Sequence, residues 1–182
     1  MKENEKELVN TCNFMEVNPI MMALPYPPVK VRERNQNYAN LLSIDYCGSV
    51  SELSAITQYI NNENRLSYER CPIAKTLLGI AMAEMIHLQK LGELICLLGG
   101  NLDFNAKYRD NGPKMWTPQY LSLADNAKKM LFISIDSEKA AINQYKTHMR
   151  MMDDPYINAV LARIIKDEEY HIMILRALIT EL

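Results

Sequence analysis

Apolar residues recur at three- and four-residue intervals along four long stretches of the chain, and no segment alternates apolar and polar residues with a convincing period of two. This pattern predicts an all-α fold. The first helix is expected over about 36–63, mildly interrupted by Gly48. The second is expected over about 72–98, with Pro72 in its first turn and Gly99-Gly100 as its stop. The third lies within 118–149, opened by Thr117-Pro118, with its regular part starting nearer 125. The fourth runs from Asp154-Pro155 to the end of the sequence.

The links between these helices are unequal. About eight residues join the first pair and about five the last pair, so each pair is expected to pack antiparallel. About eighteen residues join helices two and three. Extended, they reach roughly 55 Å at about 3.3 Å per residue, enough to cross the length of a bundle. Residues 1–34 hold four of the eight prolines (Pro19, Pro25, Pro27, Pro28) and read as an extended arm, leaving 35–182 as a four-helix bundle.

Stepping by threes and fours, helix two presents Ile73, Leu77, Ile80, Glu84, His87, Leu91, Leu94 and Leu98 on one face. Helix four presents Ile157, Leu161, Ile164, Glu168, His171, Leu175, Leu178 and Leu182, the same residue type at every place. Each face built for burial thus carries a Glu and a His three residues apart. Helices one and three share another pattern, "ELSAITQY" at 52–59 and "EKAAINQY" at 138–145, each beginning with Glu and ending with Tyr. Glu52, Glu84, Glu138 and Glu168 fall near the middle of their predicted helices, so they and the two histidines are expected to meet at one level.

A lone buried carboxylate costs several kcal/mol, and four together also repel one another. Two divalent cations would match four carboxylates, with neutral imidazoles completing the coordination. Mixed Glu and His donors suit iron, manganese or zinc better than magnesium or calcium. The expected metal ligands are therefore Glu52, Glu84, His87, Glu138, Glu168 and His171.

Charge excludes some partners. With 20 Lys+Arg against 22 Asp+Glu, and with basic residues scattered, no surface tracks a nucleic-acid backbone. The cysteines, Cys12, Cys47, Cys71 and Cys96, form no C-x-x-C pair and read as reduced thiols. The polar start MKENEKELVN carries no signal-peptide pattern, and no uninterrupted apolar run reaches membrane-span length, so the expectation is a cytoplasmic protein with no membrane partner.

At residues 36–182 the sequence resembles the ferritin-like dinuclear-metal superfamily, which includes bacterioferritins, rubrerythrins and manganese catalases; its bundles carry this ligand pattern. "LGELICLLGG" and "DDPYINAVLARIIKDEEYH" look most like small bacterial proteins between the bacterioferritin and manganese-catalase branches. The resemblance implies a long crossover between helices two and three. It implies that Glu84 and Glu168 bridge two metals, Glu52 and Glu138 bind at the ends, and His87 and His171 hold one ion each. Rubrerythrins carry an extra carboxylate one turn from the third-helix Glu, where this chain has Ile135 and Ala141, and an iron-thiolate domain that it lacks.

In similar sites an acid at the position of Asp167 orients the histidine of the opposite pair, here His87. Its counterpart is Ala83, so His171 needs another acceptor. Tyr59 and Tyr145 are candidates for hydrogen bonds to ligand carboxylates or for a redox role, and Glu84 and Glu168 for shifting coordination during reaction. Met85 matches the haem methionine of bacterioferritins, but in a chain with twelve methionines it reads as packing, and haem is not expected.

The resulting expectation is an oxidoreductase with two iron or manganese ions, acting on hydrogen peroxide or dioxygen with an unknown electron donor, as a homodimer or larger homo-oligomer. The alternatives are ferroxidase activity with iron storage, which requires a hollow shell, and a coat or scaffold protein that keeps its metals.

Overall fold

The computed structural model describes residues 9–182; the first eight residues of the polar start lie outside the described part. Five α-helices follow the arm: α1 (Gln36–Cys47), α2 (Glu52–Leu66), α3 (Cys71–Leu97), α4 (Ala127–Met151) and α5 (Pro155–Thr180). α1 and α2 together form the first arm of a four-helix bundle, and α2 with α3 and α4 with α5 are joined by short links, as expected.

Three expectations about the helices and the crossover change. Gly48 ends a helix rather than softening one. Its backbone is extended, and a Cβ there would lie 2.6 Å from the Ile44 carbonyl oxygen and 2.8 Å from the Tyr108 hydroxyl, so only glycine admits this approach. Ser51 then caps α2 by accepting from the Ser54 amide. Thr117-Pro118 opens only a 3-10 turn (Pro118–Tyr120), while Asn126 caps α4 by accepting from the Lys129 amide. The crossover between α3 and α4 also contains an antiparallel hairpin, β1 (Asn105–Tyr108) and β2 (Gly112–Met115), which period-two reading missed because each strand is four residues long and β2 is fully exposed.

The two inward stripes are buried at fifteen of their sixteen places; Leu182, beyond the end of α5, is exposed. The core falls into two apolar clusters. Leu91, Leu94, Ile157, Leu161 and Ile164 belong to one, and Leu77, Ile80, Leu131 and Leu175 to the other. Between them α3 and α5 carry the Glu and His residues, so the polar layer is sealed from both ends by side chains each contributing roughly 1.5–3 kcal/mol of burial.

α3 alone among the described residues is long and apolar enough to cross a membrane by composition. It is the central helix, touching α1, α2 and α5, and its buried face holds Glu84 and His87.

The arm lies on its own bundle. Cys12 is disulfide-bonded to Cys71 at the start of α3, with Cα atoms 5.5 Å apart. Further on, the Arg32 amide donates to Asp154, the cap of α5 (2.8 Å). The expectation of four reduced thiols thus holds only for Cys47 and Cys96, because folding back brings together two residues 59 apart that no motif links. Cysteine usage therefore gives no argument for a reducing compartment.

Candidate metal centre

Glu52 occupies the first turn of α2, where the helix N-terminus favours a carboxylate. Glu84 and His87 sit in mid α3, Glu138 in mid α4, and Glu168 and His171 in mid α5. All six are at most 3 % exposed. Their oxygen and nitrogen atoms form two overlapping groups, Glu52-Glu84-His87-Glu168 and Glu84-Glu138-Glu168-His171, each within 4.8 Å of one another.

Glu84 and Glu168 belong to both groups. The Nδ1 of His87 lies 2.7 Å from Glu84 Oε2 and 3.3 Å from Glu168 Oε1; the Nδ1 of His171 lies 3.0 Å from Glu84 Oε1 and 3.0 Å from Glu168 Oε2. Each of these carboxylates thus turns one oxygen to each histidine. Glu52 stands 3.8 Å from His87, and Glu138 stands 3.9 Å from His171, one at either end.

His171 Nδ1 lies 3.0 Å from both Glu84 Oε1 and Glu168 Oε2; all three atoms are buried, and no contact among them has hydrogen-bond geometry. A cation there would satisfy all three, so the donor set fits divalent metal. Protons otherwise carry the compensating charge. Burial pulls both imidazoles down, but Glu84 and Glu168 outweigh it and hold His87 and His171 well above the usual histidine range. Burial, reinforced by repulsion from Glu84 and Glu168, pushes Glu52 and Glu138 well above the usual carboxylate range. Burial also acts upward on Glu84, yet His87 and His171 overcome it and hold it well below.

The tyrosines cross over. Tyr59 of α2 donates to Glu138 of α4, and Tyr145 of α4 donates to Glu52 of α2. Burial, then the neighbouring carboxylates, raises both phenols well above their normal range, so they stay protonated as donors.

Asp167 accepts from His87 Nε2 at 3.1 Å. Burial favours its neutral form, but His87 and Arg163 prevail and hold it at about 2. His171 Nε2 instead meets a main-chain carbonyl, that of Ile20, at 2.8 Å. Each acceptor keeps the proton on Nε2 and frees Nδ1 to face the carboxylates.

Sequence reasoning missed Ile20, Met22, Tyr26 and Arg163 in this surrounding network. The one available signal was Arg163, four residues before Asp167 on the same helix face and 2.7 Å from it. It also missed the buried pair of Asp45 and His148 (2.7 Å), where burial raises the Asp45 carboxyl and Gln144 supplies a second bond. Met85 faces outward and is 45 % exposed.

A cavity of about 400 Å³ reaches the centre between α2 and α4, walled by Ser54, Gln58, Ser122 and Ser134. Glu52, Glu138, Glu168 and Tyr59 line its inner end.

Known proteins resemble this chain in sequence or in fold. A probable manganese catalase of Clostridium acetobutylicum is 24% identical over 163 residues, covering 79% of this chain and 70% of its own. KatB, a manganese catalase from Anabaena, superposes with a TM-score of 0.74 at 25% identity, over 87% of this chain and 78% of that one. The bacterioferritin of Rhodobacter capsulatus shares the fold, with a TM-score of 0.66 at 21% identity over 81% of this chain and 86% of that one. Residues 48–179 match the Rubrerythrin family across most of the bundle, including all six converging residues, and the chain belongs to that family within the ferritin-like dinuclear-metal superfamily.

Proposed function

We propose that the chain is an oxidoreductase that binds two manganese ions and disproportionates hydrogen peroxide, two peroxides giving two waters and one dioxygen. The observation that carries this reading is the way Glu84 and Glu168 each direct one oxygen to each histidine, an arrangement suited to a pair of ions rather than one. Manganese over iron draws its support from the names of the two catalases, since the donors suit both metals. When bound, such a pair exchanges two electrons with an O–O bond.

The chain's own groups have distinct roles in this reading. Glu84 and Glu168 would be shared by the two ions, while Glu52 with His87 and Glu138 with His171 would complete the two ends. Glu168 lines the cavity and Glu84 does not, so of the two shared carboxylates Glu168 is the one that would face an incoming substrate. Apolar side chains, serine hydroxyls, the Gln58 amide and Asp136, with no fixed cation, line the approach, which suits a small uncharged molecule such as peroxide better than an anion. Tyr59 and Tyr145 keep a proton on the phenol oxygen and orient Glu138 and Glu52.

Elemental analysis followed by oxygen release from peroxide tests the reading. About two manganese ions per chain and rapid oxygen evolution are expected. Two iron ions with dioxygen consumption instead would shift it to ferroxidase chemistry, and a folded protein that takes up neither metal would sink it.

A further inference from the structure

Residues 18–26 of the arm cross α3 and α5 directly outside the histidines. The Ile20 amide donates to the Gly79 carbonyl at 2.9 Å, while the Ile20 carbonyl accepts from His171 Nε2 at 2.8 Å. Two residues on, the Met22 amide donates to Asp167 Oδ1 at 2.7 Å, and the Tyr26 hydroxyl donates to Asp167 Oδ2 at 2.8 Å. Arg163 clamps the same stretch: its guanidinium donates to the Met22 carbonyl at 2.8 Å and to the Leu24 carbonyl at 3.0 Å, and its charge lies 4.5 Å from the Tyr26 ring centre.

α3 leaves room for this crossing. A Cβ on Gly79 would stand 2.8 Å from Ile20 Cγ1 and 2.9 Å from the Asn18 carbonyl oxygen, closer than carbon atoms tolerate. Glycine is otherwise a poor choice in mid-helix. Here a bare backbone lets the arm lie close enough for its Ile20 carbonyl to meet His171.

We infer that the arm is a positioning element of the metal centre: the Ile20 carbonyl orients His171, and the Met22 amide and Tyr26 hydroxyl orient Asp167 and through it His87. An imidazole turns freely about its side-chain bonds unless its outer nitrogen is held, and the group that holds it also decides which nitrogen keeps the proton. The arm reaches the two rings by different routes, one through its main chain and the other through Asp167. Disturbance at Gly79 therefore acts on the His171 end, and disturbance at Tyr26 on the His87 end. The inference rests on the six-ligand reading above.

A two-site Mn2+ titration of the metal-free full chain tests it, with electron paramagnetic resonance distinguishing coupled from single ions. Wild type is expected to take up two coupled ions. Tyr26→Phe is expected to weaken one site by about tenfold, the lower end for partners of metal-ligating histidines. Gly79→Val is expected to weaken the other, and the double variant both. A merely structural arm would lower the melting temperature without dividing its effects between two sites.

Unchanged affinity at both sites in Tyr26→Phe and Gly79→Val overturns the inference, as does a double variant that still loses only one site. Should Gly79→Val fail to fold, Gly79→Ala replaces it, since alanine favours the helix and still intrudes on Ile20. Wild-type protein that takes up no Mn2+ overturns the metal reading and this inference together; two sites in wild type with unaltered variants overturns this inference alone.

Discussion

The His87 and His171 ends of the centre are nearly the same inside and different outside. Each imidazole faces Glu84 and Glu168, with one further glutamate at 3.8 or 3.9 Å and a tyrosine crossing from the opposite helix to hold that glutamate. Behind His87 stands a carboxylate fixed by Arg163, Met22 and Tyr26; behind His171 stands one peptide carbonyl. A repeated ligand pattern therefore does not make two equal sites. An anionic partner makes His87 the more electron-rich donor, so the ion at that end is expected to bind more tightly.

The largest effect should come from removing what the ends share. Glu84→Ala with Glu168→Ala takes a ligand pair from both, and elemental analysis should fall from about two ions per chain to none, whereas Glu52→Ala or Glu138→Ala should each cost one. Asp167→Asn comes next. It should weaken the His87 end by about 10–100-fold in a metal titration while sparing the His171 end. It should also destabilise the fold by about 3 kcal/mol in denaturant unfolding, since it leaves the buried Arg163 without its carboxylate. Equal loss at both ends would break the comparison.

The pH dependence of the metal-free protein concerns both ends together. Glu52, Glu138, His87 and His171 have folded-state pKa values above their ordinary ones, so the folded chain holds more protons than the unfolded chain. Stability should therefore fall as pH rises from about 5.5 to 8, above the ordinary carboxylate value and through that of histidine. The lowered groups, Glu84 and Asp167, act in the opposite sense only below about pH 4.5, outside this window. Melting curves of metal-loaded protein should lose the downward trend, because cations replace the protons. The smallest effects belong to the tyrosines. Tyr59→Phe and Tyr145→Phe each remove one hydrogen bond to a glutamate that bears a proton in the metal-free chain, worth about 0.5–1.5 kcal/mol, and should lower its melting temperature alike. Unlike shifts would show that the ends differ on the α2/α4 side as well.

Much of this arrangement was legible because it runs against local expectation. Glu84 and His87 interrupt an apolar stripe on α3, and Glu168 and His171 do so at the corresponding place on α5, so helical spacing alone singles out all four. Glu52 and Glu138 were legible through the shared ending with Tyr59 and Tyr145. The break at Gly48 was not, since tertiary contact with Ile44 and Tyr108, rather than composition, demands a helix end there. Nor was the arm's place at the centre: Ile20 and Met22 act through main-chain atoms that any residue possesses, and nothing in the spacing of Cys12 and Cys71 announces their pairing.

The contacts that join the arm to α5 also set an order of events during synthesis. Ile20, Met22 and Tyr26 leave the ribosome early, while their partners Asp167 and His171 follow 141 to 151 residues later. Closing so long a loop is slow compared with forming a helix. A nascent chain carries Glu52, Glu84, His87 and Glu138 well before it can bring both histidines into line, so lasting capture of the metal pair waits for α5.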